Sequence, residues 1–125
     1  MRLLLDTHAM IWMVGEPAML ARPALAALAD PDNDRWVSIA TIWEIATLSA
    51  NGRLSFPPSY TEALQRTLTT LLPIPLAHVE RAASLPFHHR NPFDRLLIAQ
   101  AMEESLTVVT RDRRFAAYGV AVLPA

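Results

Sequence analysis

The feature that most constrains the fold of this chain is an alternation of short apolar or β-branched runs with helix-length segments. Leu3-Leu4-Leu5, Arg35 to Ile39, Thr107 to Thr110 and Val120 to Leu123 are each the size of a strand. Parallel strands need a crossover between them, and a helix is the usual one. The alternation therefore predicts an α/β fold with a mainly parallel sheet. In such sheets ligands bind at the carboxyl ends of the strands.

Local signals place the helices. Thr7 is read as the cap of a helix to about Val14, which Gly15-Glu16-Pro17 breaks. Pro23 suits an early position of a second helix ending near Asp30-Pro31, because its missing N–H costs nothing there. Ser38 begins a helix through Ser49, closed by Asn51-Gly52. Pro57-Pro58 precedes a helix expected from Ser59 to Leu71, and Ala77 to Leu85 reads as another. Ile74 lies between two prolines, which allows only a short edge strand. Asn91-Pro92 is a helix start with Asn as cap, and that helix reaches about Ser105. No repeat or linker divides the 125 residues, so one domain spanning 1–125 is expected.

Composition removes several chemistries. There is no Cys, which excludes disulfides, thiolate nucleophiles, Cys-ligated zinc and iron–sulfur clusters. All 11 basic residues are Arg, so a Schiff-base lysine and a P-loop lysine are both excluded. The net charge of −1 announces no global basic field, although a local cluster suffices to hold nucleic acid. Met1 to Val14 looks briefly like a signal peptide, but Asp6 and His8 interrupt its apolar core. No apolar run approaches the ~18 residues needed to span a bilayer, and a cytoplasmic location is expected.

Of 12 acids, eight have bland explanations. Asp30, Asp32 and Asp34 fall in a Pro/Asn-rich loop, Glu16 in a turn, and Glu62, Glu80, Glu103 and Glu104 on exposed helix faces. Four remain. Asp6 ends the first strand, where it serves equally as a helix cap. Glu44 lies mid-helix with Ala40, Thr41, Thr47 and Leu48 as its neighbours one turn away. No local base pairs with it, so it needs a tertiary partner, a metal or a shifted pKa. Asp94 stands third after the Asn91 cap, where the helix dipole favours an acid. Asp112 follows the last long strand, where a helix cap or a surface ion pair is the ordinary role. Four acids on separate elements can meet at one sheet edge. Clustered carboxylates repel, and hard oxygen donors without Cys suit Mg²⁺ or Mn²⁺.

At these residues the sequence resembles a known family. Leu3-Leu4-Leu5-Asp6-Thr7-His8 and Ser38-Ile39-Ala40-Thr41-Ile42-Trp43-Glu44-Ile45-Ala46 carry the first half of the likeness. The run His88 to Ala101, Thr110-Arg111-Asp112 and Phe115 to Val120 carry the second. The chain resembles PIN-domain ribonucleases, specifically VapC toxins of type II toxin–antitoxin pairs, over essentially its whole length. The resemblance implies a PIN-like three-layer α/β/α sandwich with a sheet of about five strands. It implies that Asp6, Glu44, Asp94 and Asp112 form an acidic metal site for Mg²⁺, with Mn²⁺ as a substitute. It implies an endoribonuclease in which a metal-activated water attacks phosphorus. A cognate antitoxin covering the site and a homodimer are also implied, with no membrane. One departure is visible. Similar proteins often carry a Lys shortly after the Glu of Trp-Glu-Ile-Ala, and here Thr47, Leu48 and Ser49 stand there, with Arg53 the nearest substitute.

Other residues belong to this reading as candidate RNA contacts. Arg111, Arg113 and Arg114 form the densest basic cluster, beside Asp112, and suit backbone phosphates. His88, His89 and Arg90 lie just before Asp94. Thr110 is placed to orient a carboxylate or touch phosphate. His8 is expected to pack, His78 to lie at the surface, and Trp12, Trp36 and Trp43 to join the core. Ile11, Trp12 and the Pro58–Leu72 region form an alternative groove for a partner helix. Three rival readings are weaker. A response-regulator-like phosphoacceptor needs a Lys that is missing. A haloacid-dehalogenase-like phosphatase needs an acid where His8 stands. A catalytically silent PIN module that binds RNA or protein has no need of all four acids.

Overall fold

Leu3, Leu4 and Leu5 set the layers. They lie in β1 (Arg2–Leu5), and strand geometry sends alternate side chains to opposite faces. Leu3 and Leu5 join one apolar cluster and Leu4 the other. The computed structural model describes residues 1–56 and 59–125, so the expectation placed on Pro57-Pro58 falls outside the described residues.

From β1 the chain runs through α1 (Thr7–Gly15), a 3-10 turn (Pro17–Met19) and α2 (Arg22–Ala29) to β2 (Asp34–Ser38). α3 (Ile39–Ala50) and α4 (Tyr60–Arg66) lead to β3 (Thr69–Leu72). α5 (Leu76–Ser84) and α6 (Pro92–Glu104) lead to β4 (Thr107–Thr110), and a second 3-10 turn (Arg113–Tyr118) leads to β5 (Val122–Pro124). The sheet has five strands in the order β3-β2-β1-β4-β5, and every pairing is parallel.

This order explains the three layers. The chain steps from β1 to β2 to β3 in one direction, then returns to lay β4 on the other side of β1. Right-handed crossovers put helices on one face while the chain moves one way and on the other when it reverses. Ala9 and Met10 of α1, Ala24 and Leu28 of α2, and Ile45 of α3 pack against Leu3, Leu5, Val37 and Val109. Leu97, Ile98 and Ala101 of α6 pack with Leu4, Val108, Phe115 and Tyr118 on the opposite face. Each fully buried Leu or Ile contributes about 2–3 kcal/mol of transfer free energy.

Two expectations are corrected. The helix expected over Ser59 to Leu71 is only α4, and Thr69–Leu72 is the edge strand in place of Ile74. Leu68 takes a left-handed φ of 51°, which ends the helical path. The Thr67 and Thr69 hydroxyls bond each other at 2.9 Å, and β-branched Thr69 and Thr70 then favour extension. His78, expected at the surface, is 2% exposed. Its ring joins Glu104 at 2.9 Å and Gln100 at 3.2 Å, clasping α5 to α6. Both partners come from another helix, which local sequence does not announce.

Candidate active site

The switch point between β1 and β4 opens a cleft of about 580 Å³ at the carboxyl edge of the sheet. Asp6, Glu44, Asp94 and Asp112 all line it. They arrive from four elements: the β1–α1 junction, the middle of α3, the first turn of α6 and the end of β4. The structure thus brings together the four acids singled out by sequence.

Asp6 caps α1, accepting the Ala9 N–H on Oδ1 at 2.8 Å, while its own N–H bonds Val109 at 3.1 Å. Being 7% exposed, it is largely desolvated. Burial raises its carboxyl above the ordinary 3.8, against the Thr110 hydroxyl and the Ala9 N–H, which lower it. The cap role and the cleft position therefore coincide. Glu44 finds the tertiary partner its helix denies it, for Thr7 donates its hydroxyl to Glu44 Oε1.

Asp94 and Asp112 meet through a residue that sequence reasoning undervalued. His89 is 2% exposed, and its Nε2 lies 3.0 Å from Asp94 Oδ2 and 2.8 Å from Asp112 Oδ2. Its Nδ1 accepts the Asn91 N–H at 3.1 Å, so the proton sits on Nε2, between the two acids. The ligand atoms of His89, Asp94 and Asp112 all fall within 4.8 Å of one another. Burial first, then the charges of Asp6, Glu44 and Asp112, push Asp94 up to about 6, against the lowering effect of His89. Asp112 goes the other way. Burial raises it, but hydrogen bonds from Arg114 and His89 hold it at about 2.

The loop carrying His89 is held by Arg95, another residue not singled out by sequence. Its buried guanidinium donates to the carbonyls of Ala82, Leu85 and Pro86 at 3.0 Å each and of His89 at 3.3 Å. It also stacks 4.3 Å from the Phe87 ring. Only the position of Arg95 one residue after Asp94 hints at this, since its partners precede it by six to thirteen residues.

The remaining candidates divide. Thr110 is buried and accepts the Asp112 N–H at 3.0 Å, while its hydroxyl lowers the Asp6 carboxyl. It orients carboxylates and is not exposed to phosphate. Arg114 forks onto Asp112, through Nε at 3.0 Å and Nη2 at 2.9 Å. Arg111 lines the cleft but is tied to backbone, donating to Ala125 at 2.8 Å and to Met19, with Trp12 4.2 Å beneath it. Arg113 and Arg90 are exposed and line no part of this cleft. His88 packs edge-on against Tyr118 at 5.0 Å, outside it. His8 does line it and packs 5.5 Å from Trp12. Arg53 does not reach the cleft lining. Trp12 and Trp36 are half-buried, with Trp12 and Ile11 packed against the core. Trp43 departs from expectation at 66% exposed, edge-on to Phe93 at 5.4 Å.

The donor set fits a hard divalent cation. Besides burial, the three other carboxylates of the cleft raise the pKa of Asp94, and a bound cation would relieve that repulsion. Fold and site together define a parallel α/β protein with an acidic centre at its topological switch point. A model of the PIN domain family matches residues 3–121, and the chain belongs to that family. It is similar to Ribonuclease VapC22 of Mycobacterium tuberculosis, 30% identical over 119 residues that cover 89% of this chain and 87% of that protein. Among solved structures it is similar to VapBC2 of Rickettsia felis bound to a promoter DNA fragment, with a TM-score of 0.70, 15% identity and 98% of each chain covered. It is also similar to FitAcB of Neisseria gonorrhoeae, with a TM-score of 0.61, 24% identity and coverage of 98% of this chain and 96% of the other. Among the described residues, no helix is long and apolar enough to cross a membrane.

Proposed function

We propose that this PIN-domain protein is a VapC-type toxin, a Mg²⁺-dependent endoribonuclease held in check by a cognate antitoxin. The observation that carries this reading is the convergence of Asp6, Glu44, Asp94 and Asp112 on one cleft from four separate elements. The likeness to a curated VapC ribonuclease supports the reaction, and the likeness to VapBC complexes supports the partner. A homodimer follows from the same family reading.

Asp6, Asp94 and Asp112 would hold Mg²⁺ or Mn²⁺, directly or through water, with Glu44 as a further ligand or as the carboxylate that orients the attacking water. The cation would supply charge to offset the phosphodiester and a bound water of lowered pKa. The chain's own groups do the rest. Asp6 is fixed by its cap bond and Glu44 by Thr7, so neither carboxylate reorganises as charge develops. Asp94 must lose its proton to act as a ligand, and His89 favours the ionised form.

The test is cleavage of total RNA by antitoxin-free protein, with Mg²⁺ or Mn²⁺ against EDTA. Discrete metal-dependent fragments that disappear in Asp6→Asn are expected. Equal cleavage by the variant, or none by the parent chain against RNA from its own host, would overturn the reading.

A further inference from the structure

Every acceptor site of Asp112 is taken. A carboxylate offers about four on its two oxygens. Oδ1 accepts from the Arg114 backbone N–H at 2.9 Å and from Arg114 Nε at 3.0 Å. Oδ2 accepts from Arg114 Nη2 at 2.9 Å and from His89 Nε2 at 2.8 Å.

These four donors are not equally fixed. The backbone N–H is the cap of the Arg113–Tyr118 turn, and His89 is buried behind the cleft. The other two donors belong to one side chain, which is 62% exposed. Rotation of the Arg114 side chain therefore empties one site on each oxygen and leaves the cap and the histidine bond in place. Arg111, the other arginine of the cleft, has no such role, because its guanidinium is spent on backbone carbonyls and Trp12.

We infer that Arg114 is the resting counter-ion of the acidic centre, filling the Asp112 sites that a divalent cation takes, and that once displaced it binds the RNA phosphodiester. The inference rests on the proposed nuclease reading and deepens it. A guanidinium fork matches carboxylate and phosphate alike, so the exchange needs no movement of the main chain. The retained backbone bond keeps Arg114 at the cleft edge throughout. Metal and RNA then assist each other. RNA draws Arg114 off Asp112 and frees it for metal, and metal on Asp112 releases Arg114 to RNA. Such coupling is reciprocal by linkage.

The test is calorimetric titration of Mn²⁺ into the metal-free full chain and into Arg114→Ala and Arg114→Lys. Arg114→Ala should bind Mn²⁺ about two- to fivefold more tightly at low salt, the range expected for an exposed ion pair. Arg114→Lys, which keeps the charge and loses the fork, should fall between. The differences should shrink at high salt. RNA cleavage at saturating Mn²⁺ should nevertheless drop roughly tenfold in Arg114→Ala, the scale of one lost charge-assisted bond. A merely structural role would weaken metal binding and cleavage together. Equal or weaker Mn²⁺ binding by Arg114→Ala overturns the inference, as does undiminished cleavage at saturating metal. Failure of all three proteins to bind Mn²⁺ overturns the metal site and the inference with it.

Discussion

His89 Nε2 lies 2.8 Å from Asp112 Oδ2, joining a loop before α6 to the end of β4. The same nitrogen reaches Asp94 at 3.0 Å, so one buried N–H sets the spacing of two acids. Replacing it with Gln keeps an amide N–H near that point, whereas Asn is one bond too short. His89→Gln should therefore retain most RNA cleavage and metal affinity, and His89→Asn should lose about tenfold in each, the cost of a bond to a charged group. Steady-state kinetics and calorimetry on both variants check this. Equal behaviour of the two would show that spacing is set elsewhere.

Arg95 gives a prediction about stability. Arg95→Met removes a donor from four carbonyls of the Ala82–His89 stretch and leaves those of Leu85 and His89 unpaired, while Ala82 keeps the Leu85 N–H at 3.4 Å and Pro86 the Tyr118 hydroxyl at 2.7 Å. Each buried acceptor left unpaired costs about 1–3 kcal/mol, some of it recovered by water. A net loss of about 3 kcal/mol, seen as a fall in Tm of roughly 10 °C, is expected. A melt within about 2 °C of the parent would contradict this.

The acids give the metal-free chain a defined pH profile. Asp94 keeps its proton to about pH 6 when folded, against 3.8 as the ordinary value. Between those values the folded state holds the extra proton, so stability falls as pH rises from about 4 to about 6. Asp112 works oppositely. Its folded pKa of about 2 gives stability that is present above 3.8 and lost as pH falls through 2. These two groups place the stability maximum near pH 4. Asp94→Asn should flatten the upper limb and stabilise the metal-free chain at pH 8 by about 1–3 kcal/mol. Denaturant melts across about pH 2 to 8 would read both limbs.

Metal reverses that trend. A cation needs Asp94 ionised, so binding strengthens as pH rises through about 6. Added Mg²⁺ should raise the Tm more at pH 8 than at pH 5, and EDTA should abolish the difference. A shift independent of pH would remove Asp94 from the ligand set.

Thr7 offers a local test of Glu44. Thr7→Val keeps the shape and deletes the hydroxyl that holds Glu44 Oε1. Cleavage should fall roughly tenfold with a stability loss of about 1 kcal/mol. Rescue by Thr7→Ser, with kcat restored, separates orientation of Glu44 from packing.

Much of this arrangement was legible in the chain itself. Leu3-Leu4-Leu5 and Thr107 to Thr110 read as strands because β-branched and apolar runs of that length suit a buried parallel sheet. Ser38 and Asn91 read as caps because a short polar side chain satisfies free N–H groups over three or four bonds of reach. Glu44 stood out because no base lies one turn away from it, whereas Asp6, Asp94 and Asp112 each had an ordinary cap or ion-pair role and stood out by their places at strand ends and a helix start and by the family resemblance. Those are local facts, and sequence determines them. What tertiary structure alone decided are the long-range pairings: Thr7 with Glu44, His89 between Asp94 and Asp112, Arg95 beneath the histidine loop, and His78 with Glu104. It also decided that β3 forms at Thr69, where a left-handed Leu68 ends the helix that propensity would extend. The physical reason is one of range. Caps and strand periodicity act within a few residues, whereas the pairing of a buried polar group depends on which surfaces the sheet order brings face to face.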